Sequence, residues 1–123
     1  MKQGKQIRVT NPELISLIQM LKKKSVETKA AIWHDVAKQL SKSKRVRVAV
    51  NISRISRYTE KGDEIIVPGK VLGAGLIDHP VKVAAFDFSE QAKSKIITAK
   101  GKCLSIHEVM KTNPKGSNIK IIR

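Results

Sequence analysis

The amino-acid sequence predicts an α+β protein in which an N-terminal helical hairpin packs with a small mixed β-sheet and its flanking helices. Apolar residues recur at helical spacing as far as about residue 40, whereas from Val48 onward short β-branched segments alternate with turn residues. The length of 123 residues corresponds to one domain. We expect a basic arm at 1–10 and a single domain at 11–123, made of the hairpin at 11–40, a basic loop at 41–47 and a sheet-containing core at 48–123.

The first helix is predicted to begin at Asn11. Asparagine is a good N-cap, Pro12 fits the first helical position, and Glu13 favours the positive end of the helix dipole. The apolar stripe of this helix consists of Leu14, Ile15, Leu17, Ile18 and Leu21. Three lysines at 22–24 are expected to end the helix, where cations suit the dipole, and contact with RNA is an equally open role for them. A second helix over about 30–40 completes an antiparallel hairpin.

The middle of the chain is predicted to contain two strands and a short helix. A strand at 48–52 precedes a helix at 53–62, which Gly62 closes. A second strand, at 64–68, is expected to end at Pro68. The glycine-rich segment follows it directly.

The last third of the chain is predicted to continue the alternation of strands and helices. A strand at 81–88 leads into a helix that Ser89 caps and that runs to about Lys100, with Gly101 as its stop. After a strand at 102–106, Ser105 and Glu108 have the spacing of a capping box and start a short helix that ends before Asn113. A strand at 119–123 closes the domain.

The charge of the chain is strongly positive, with 25 lysines and arginines against 10 acidic residues and a net charge of +15. Residues 1–61 hold 15 basic and 4 acidic residues, and residues 62–123 hold 10 and 6, so the excess is concentrated in the first half. Such an excess repels itself and predicts a polyanionic partner, with nucleic acid favoured over an anionic membrane surface.

The sequence also bears on the cellular location of the protein. The sequence has no apolar run long enough to span a membrane, and its first residues lack the apolar region of a signal peptide. One cysteine, Cys103, excludes an internal disulfide and is expected to be a buried strand thiol. We therefore expect a cytoplasmic protein, free or bound in a soluble assembly, and no membrane partner.

The segment Val67 to Gly75, VPGKVLGAG, could suggest a phosphate-binding loop. In a P-loop a hydroxyl residue follows the Gly-Lys pair, but here Val71 follows Gly69-Lys70, and a dinucleotide fingerprint would need glycine where Asp78 stands. The three histidines and the cysteine have no metal-ligand spacing. The sequence therefore predicts no nucleotide-binding loop, cofactor, metal or small-molecule substrate. Two interpretations of the segment stay open, a bend that brings backbone and a lysine to RNA, and a plain turn with an exposed lysine.

The candidate RNA-binding residues are basic side chains in four segments and two glycines. They are Lys2, Lys5 and Arg8 in the arm, Lys42, Lys44, Arg45 and Arg47 in the loop, Arg54 and Arg57 on the short helix, and Lys70, Gly69 and Gly73 in the glycine-rich segment. Guanidinium groups can form bidentate hydrogen bonds with phosphate, and glycine permits close approach of the backbone. Arg54, Arg57 and Lys61 are expected to share one helix face.

Aromatic residues are scarce, with one tryptophan, one tyrosine and two phenylalanines. Trp33, Phe86 and Phe88 stand in apolar patterns and are expected in the core, which leaves Tyr58 as the one plausible stacking ring. Recognition of folded RNA through phosphate, 2′-hydroxyl and shape is therefore the favoured mode.

Three stretches of the sequence closely resemble the archaeal and eukaryotic large-ribosomal-subunit protein eighteen-e family: TNPELISLIQMLKKKS, AAIWHDVAKQLSKSKRVRVAVNISRI and VPGKVLGAGLIDHPVKVAAFDFSEQAKSKI. The resemblance extends from Thr10 to Ile122, and the stretch from Val67 to about Gly101 is also similar to the C-terminal region of bacterial large-subunit ribosomal protein fifteen. Residues 99–102 depart from the family's usual glycine pair, which affects a turn. The longer extensions of eukaryotic members are lacking, which favours an archaeal source.

The resemblance implies the fold shared by ribosomal proteins fifteen and eighteen-e and a non-enzymatic, structural role in the ribosome. The implied partners are large-subunit rRNA and neighbouring large-subunit ribosomal proteins. Two rivals stay open at this point. One is a DNA-binding regulator that uses the first two helices as a helix-turn-helix, although the link at 25–29 is longer and more polar than the usual tight turn. The other is an RNA-processing enzyme using an acid such as Asp87.

Overall fold

The computed structural model describes residues 11–42 and 48–123, which form five helices and five strands. The helices are α1 (Pro12–Thr28), α2 (Ala31–Leu40), α3 (Ile52–Tyr58), α4 (Glu90–Thr98) and α5 (Ile106–Thr112). The strands are β1 (Val48–Asn51), β2 (Glu64–Leu72), β3 (Lys82–Phe88), β4 (Lys102–Ser105) and β5 (Ile119–Ile121). The predicted class, a helical hairpin with a small sheet and flanking helices, is confirmed.

The strands form one sheet in the order β1-β2-β3-β4, with β5 also paired to β2. β1 lies beside the second half of β2, from Gly69 to Leu72, and β5 lies beside its first residues, Glu64 to Ile66. The pairings between the described strands are all parallel, whereas a mixed sheet was expected. Parallel pairing arises because a helix or a long loop separates consecutive strands and returns the chain to the same end of the sheet.

Both faces of the sheet are covered by helices, and each face has its own apolar cluster. On one face α1, α2 and α5 pack over β2 and β3, with Trp33 fully buried at the centre. On the other face α3 and α4 pack over Val50, Val71 and Val83. Such double coverage is typical of parallel sheets and explains why β2 reads as a continuous apolar run.

The aromatic residues expected in the core lie there. Trp33 has no exposed surface, and its ring N–H donates to the carbonyl oxygen of Pro114 at 2.7 Å. Phe86 and Phe88 are half-buried and pack against opposite faces of the sheet. Burial of the indole with its polar atom bonded is the favourable arrangement for tryptophan. Cys103, expected to be a buried thiol, is half-buried on β4.

Local capping signals identify helix starts correctly. The Asn11 side chain accepts hydrogen bonds from the backbone N–H groups of Glu13 and Leu14, and Ser89 caps α4. At α5 both bonds of the predicted capping box between Ser105 and Glu108 are present. These bonds satisfy N–H groups that have no partner inside the helix.

The predicted end of α1 at the lysine run is wrong, because the helix continues to Thr28. Lys29 adopts a left-handed conformation with φ of 59° and stops the helix, and the Thr28 hydroxyl donates back to the carbonyl oxygen of Lys24 at 2.8 Å. The predicted link at 25–29 is therefore almost entirely helical, and only Lys29 and Ala30 join the two helices.

The predicted end of the second strand at Pro68 is also wrong, because β2 runs on to Leu72. The register against β3 shifts between Val67 and Lys70, so one extra residue is accommodated in β2 there. A proline has no N–H to offer a neighbouring strand and is tolerated at such a bulge. The glycine-rich segment thus begins as strand, and the bend comes only after Leu72.

The third helix is shorter than predicted. It ends at Tyr58, where Thr59 turns into extended conformation and its hydroxyl donates to the carbonyl oxygen of Ile55 at 2.7 Å. Gly62, with φ of 86°, belongs to the turn that follows. Lys61 therefore lies beyond the helix, and the expectation that it shares a helix face with Arg54 and Arg57 is wrong.

Candidate nucleic-acid interface

Two arginines project from α3, which follows β1 directly at the edge of the sheet. Ile52 and Ile55 are fully buried beneath the helix, so the intervening Arg54 and Arg57 are turned outward and exposed. Because α3 is anchored by its buried isoleucines, it holds both guanidinium groups on a fixed base. The helical spacing that predicts a shared face for these two arginines agrees with their common exposure.

Arg54 has two contacts that fix its position. Its guanidinium carbon lies 5.1 Å from the centre of the Tyr58 ring, one helical turn away. Its Nε donates to the main-chain oxygen of Arg123 at 3.2 Å. The first contact is a cation–π interaction and the second uses one of the five guanidinium N–H donors, so the remaining donors stay open to an anion.

The C-terminal strand and the residues after it add two further cations to the same surface. Arg54, Tyr58, Lys120 and Arg123 line an open groove of about 580 Å³ between α3 and β5. Lys120 is paired with Asp63 at 2.9 Å, and its side chain remains 54% exposed. Sequence reasoning missed Lys120 and Arg123, because they lie more than 60 residues beyond Arg54 and no local pattern links them.

Asp63 is the acidic group of this surface. Its carboxylate accepts the backbone N–H of Glu60 at 2.9 Å as well as the Lys120 ammonium. The hydrogen bond from Glu60, reinforced by the one from Lys120, lowers the pKa of Asp63 below its ordinary value. The carboxylate therefore stays charged and holds Lys120 in place beside the groove.

Lys70 lies on β2, exposed, and is 3.9 Å from the carboxylate of Asp87 on the neighbouring strand. Both side chains are about half exposed, so a pair at this distance contributes little stability and leaves the lysine accessible. The lysine of the glycine-rich segment is thus an exposed strand residue rather than part of a loop.

Gly69 and Gly73 are buried, and contacts inside the protein explain why they lack side chains. A Cβ at Gly69 would overlap the carbonyl oxygen of Val48 on β1, and one at Gly73 would lie 2.7 Å from the side chain of Gln91. Gly75, with φ of 98°, abuts Ser53. Contact of Gly69 and Gly73 with RNA remains a prediction, but packing alone already requires glycine at both positions.

The loop after β2 is held by side chains from both neighbouring helices. The Lys95 ammonium donates to the carbonyl oxygens of Gly73 and Gly75, at 2.7 Å each. The Asn51 side chain accepts the N–H of Ala74, and the N–H of Ser53 donates to the carbonyl oxygen of Ala74. The loop therefore joins the start of α3 to the last turn of α4.

The remaining candidates are placed as follows. Lys42 is exposed just after α2. The other six candidates lie outside the described residues, and they are Lys2, Lys5, Arg8, Lys44, Arg45 and Arg47.

The described part of the chain has a large surplus of positive charge. Residues 11–42 and 48–123 contain 19 lysines and arginines and 10 acidic residues, a net of +9. Within these ranges three lysines form ion pairs with carboxylates, at Lys24, Lys70 and Lys120, and no arginine does. Arg54, Arg57 and Arg123 are therefore exposed cations that pair with no aspartate or glutamate of the described residues.

Neither a metal site nor a membrane-spanning helix is found among the described residues. No group of three histidine, cysteine or acidic side chains comes together as a metal site within residues 11–42 and 48–123. His79 is occupied by hydrogen bonds to the Thr59 hydroxyl and to Asp78, which lowers the pKa of Asp78. Among the helices described here, none is both long and apolar enough to cross a membrane.

The structure changes the argument about the DNA-binding alternative, which would use α1 and α2 as a helix-turn-helix. The argument against it from the length of the link is wrong, since only two residues join α1 and α2. However, Trp33, Val36 and Leu40 bury one side of α2 against the sheet. The exposed side of α2 carries Asp35 and a single lysine, Lys38, which is poor chemistry for reading DNA bases in a major groove.

Comparison with known proteins shows the family. The family model described as "Ribosomal protein 60S L18 and 50S L18e" matches residues 1–123. Three archaeal relatives each carry the name "Large ribosomal subunit protein eL18". The Methanococcus maripaludis protein is 53% identical over 118 residues, which is 96% of this chain and 98% of the relative.

The other two relatives match to a similar extent. The Methanoregula boonei protein is 50% identical over 117 residues, 95% of this chain and 97% of the relative. The Archaeoglobus fulgidus protein is 46% identical over 116 residues, 94% of this chain and 99% of the relative. With the matching family model and the fold described above, these similarities show that the chain belongs to the ribosomal protein family of 60S L18 and 50S L18e.

Proposed function

We propose that this protein is a structural constituent of the large ribosomal subunit that binds and stabilises folded large-subunit rRNA, supporting translation in the cytoplasm. Membership of a family of large-subunit ribosomal proteins supports the proposed place in the large ribosomal subunit. The observation that carries the mode of binding is the surface around α3, where Arg54, Arg57 and Arg123 are exposed and form no ion pair with an aspartate or glutamate of the described residues.

The proposed mechanism is neutralisation of phosphates by fixed cations, with no bond made or broken. Arg54 and Arg57 stand on a helix anchored in the core, so they can approach phosphates without a large loss of conformational freedom. Each phosphate that a cation neutralises releases a counterion, which makes the affinity depend on salt. Lys42 and Lys70 act as additional point charges, and neighbouring large-subunit ribosomal proteins are the further proposed partners.

The basic residues outside the described ranges belong to the same proposal. Arg45 and Arg47 follow Lys42 and Lys44 in a segment without acidic residues, and Lys2, Lys5 and Arg8 form a similar cluster at the start of the chain. We propose that both clusters contact phosphate groups of the RNA.

The salt dependence of RNA binding tests this proposal. A transcript of large-subunit rRNA is titrated with the full-length protein at several salt concentrations, and Arg57→Ala is compared with Lys111→Ala, which removes a cation from α5 on the opposite face of the sheet. Arg57→Ala should reduce the slope of log affinity against log salt by about 1, since one phosphate contact is lost. The double variant Arg45→Ala/Arg47→Ala should reduce it by about 2.

Two results would count against the proposal. An unchanged slope in both variants would remove the α3 surface and the basic loop from the interface. Equal affinity for duplex DNA at matched salt would favour the DNA-binding alternative instead.

A further inference from the structure

We infer that the groove between α3 and β5 binds one unpaired nucleotide of the RNA, with its base stacked on Tyr58 and its phosphate held by Arg54 and Arg123. This inference rests on the proposed function and specifies which part of the RNA this surface binds. Paired RNA offers phosphates but no open base face, so the ring of Tyr58 distinguishes a looped or bulged nucleotide from a helix.

The exposure of Tyr58 is the first observation. Of the four aromatic residues in the chain, Trp33 is fully buried, Phe86 and Phe88 are half-buried, and Tyr58 is 52% exposed. Its neighbours in the helix are fixed, because Ile55 is buried and Thr59 is bonded to the carbonyl oxygen of Ile55. The ring is therefore presented on a rigid base, as in proteins that stack bases on aromatic side chains.

The guanidinium of Arg54 is the second observation. It lies over the Tyr58 ring at 5.1 Å from its centre, and its Nε donates to the main-chain oxygen of Arg123. A planar cation held over an aromatic ring forms a platform that can combine base stacking with a phosphate contact. Among the described residues no aspartate or glutamate forms an ion pair with Arg54 or Arg123, so no acidic side chain competes with a phosphate for these two guanidinium groups.

The groove itself is the third observation. Its volume of about 580 Å³ falls within the range of sites that take small organic groups, and it is open along the surface so that an RNA strand can enter and leave. Asp63 holds Lys120 on one side of the groove and would repel phosphate there. The phosphate is therefore assigned to the side of Arg54 and Arg123, and the base to the ring. An acidic peptide would satisfy the arginines but leave the flat ring unused.

Tyr58→Ala and Tyr58→Phe, made in the full-length protein, test the inference. Loss of the ring should weaken binding to a large-subunit rRNA transcript by roughly 5- to 150-fold, while Tyr58→Phe, which keeps the ring, should bind like the unaltered protein. Neither variant should change binding to a fully paired RNA duplex, which offers no base to stack. Because Tyr58 is exposed, both variants should fold, and thermal unfolding followed by circular dichroism verifies this.

Ultraviolet crosslinking supplies a direct readout. After irradiation of the complex with the same transcript, mass spectrometry should find a nucleotide adduct on the peptide that contains Tyr58. Unchanged transcript affinity in Tyr58→Ala, or a crosslink map without this peptide, would overturn the inference. The proposed function would still stand if the arginine variants lower the salt slope, whereas failure of the unaltered protein to bind the transcript would overturn both.

Discussion

The backbone of Gly69 on β2 lies so close to the carbonyl oxygen of Val48 on β1 that no Cβ fits between them. The two residues are paired in the parallel register of the sheet, next to the irregularity in β2 that follows Val67. This contact brings β1 against the second half of β2. Since β1 leads directly into α3, the contact also sets the position of the surface that carries Arg54, Arg57 and Tyr58.

Substitution Gly69→Ala should destabilise the protein by about 1–3 kcal/mol, because the added methyl group forces β1 away from β2. Chemical unfolding in urea measures the change in the free energy of unfolding. Gly62→Ala is the comparison: nothing lies within 4 Å of a Cβ there, so only the cost of its φ of 86°, about 1 kcal/mol, is expected. Equal losses in the two variants would show that contact with Val48 is not what requires glycine at position 69.

Strand β2 shows why the fold could be predicted in part only. Apolar periodicity and capping residues are local signals, so they place the start of α1 and the capping box of α5 correctly. Proline is also a local signal, but its effect depends on whether a neighbouring strand needs an N–H donor at that position, which proline lacks. The irregular pairing between Val67 and Lys70 accommodates Pro68, and that is a property of the assembled sheet.

Lys95→Met should loosen the loop after β2, since the ammonium group donates to two backbone carbonyl oxygens there. We expect a loss of about 1–2 kcal/mol in the free energy of unfolding. Faster hydrogen exchange is expected at the amide of Ser53, which donates to the carbonyl oxygen of Ala74 in this loop.

The matched control is Lys93→Met, which removes the same charge from an exposed position on the same helix. If Lys93→Met accelerates exchange at Ser53 as much as Lys95→Met does, general electrostatics rather than the two hydrogen bonds would explain the effect.

The interaction of Asp63 with Glu60 and Lys120 should make stability depend on pH. Because the pKa of Asp63 is lowered in the folded protein, its contribution is fully present above the ordinary pKa of an aspartate and is lost as the pH falls through the lowered folded value. Asp63→Asn should therefore lower the melting temperature at about pH 7 and have a much smaller effect at about pH 2.

Asp35→Asn removes one negative charge from the exposed side of α2 and serves as the control for net charge. A melting-temperature difference for Asp63→Asn that stays the same at both pH values would contradict the assignment to its ionised carboxylate.

The candidate site was predictable only as far as local spacing reaches. Arg54 and Arg57 are three residues apart, and helical geometry alone predicts their common exposure, while Lys61 is excluded because Thr59 ends the helix. Lys120 and Arg123 join the same groove only through the pairing of β5 with β2, in which Lys120 stands opposite Ile65. No pattern within the chain encodes that neighbourhood. Gly69 and Gly73 are closely approached by Val48 and Gln91 within the protein, and their contact with RNA stays a prediction.

The most direct test of the central claim is sedimentation of the endogenous protein through a sucrose gradient, with the protein detected by an antibody in every fraction. At low salt the account predicts that it migrates with the 50S particles and that concentrated salt releases it, because phosphate contacts made by exposed cations carry the binding. Recovery at the top of the gradient at low salt, apart from ribosomal particles, would contradict the account.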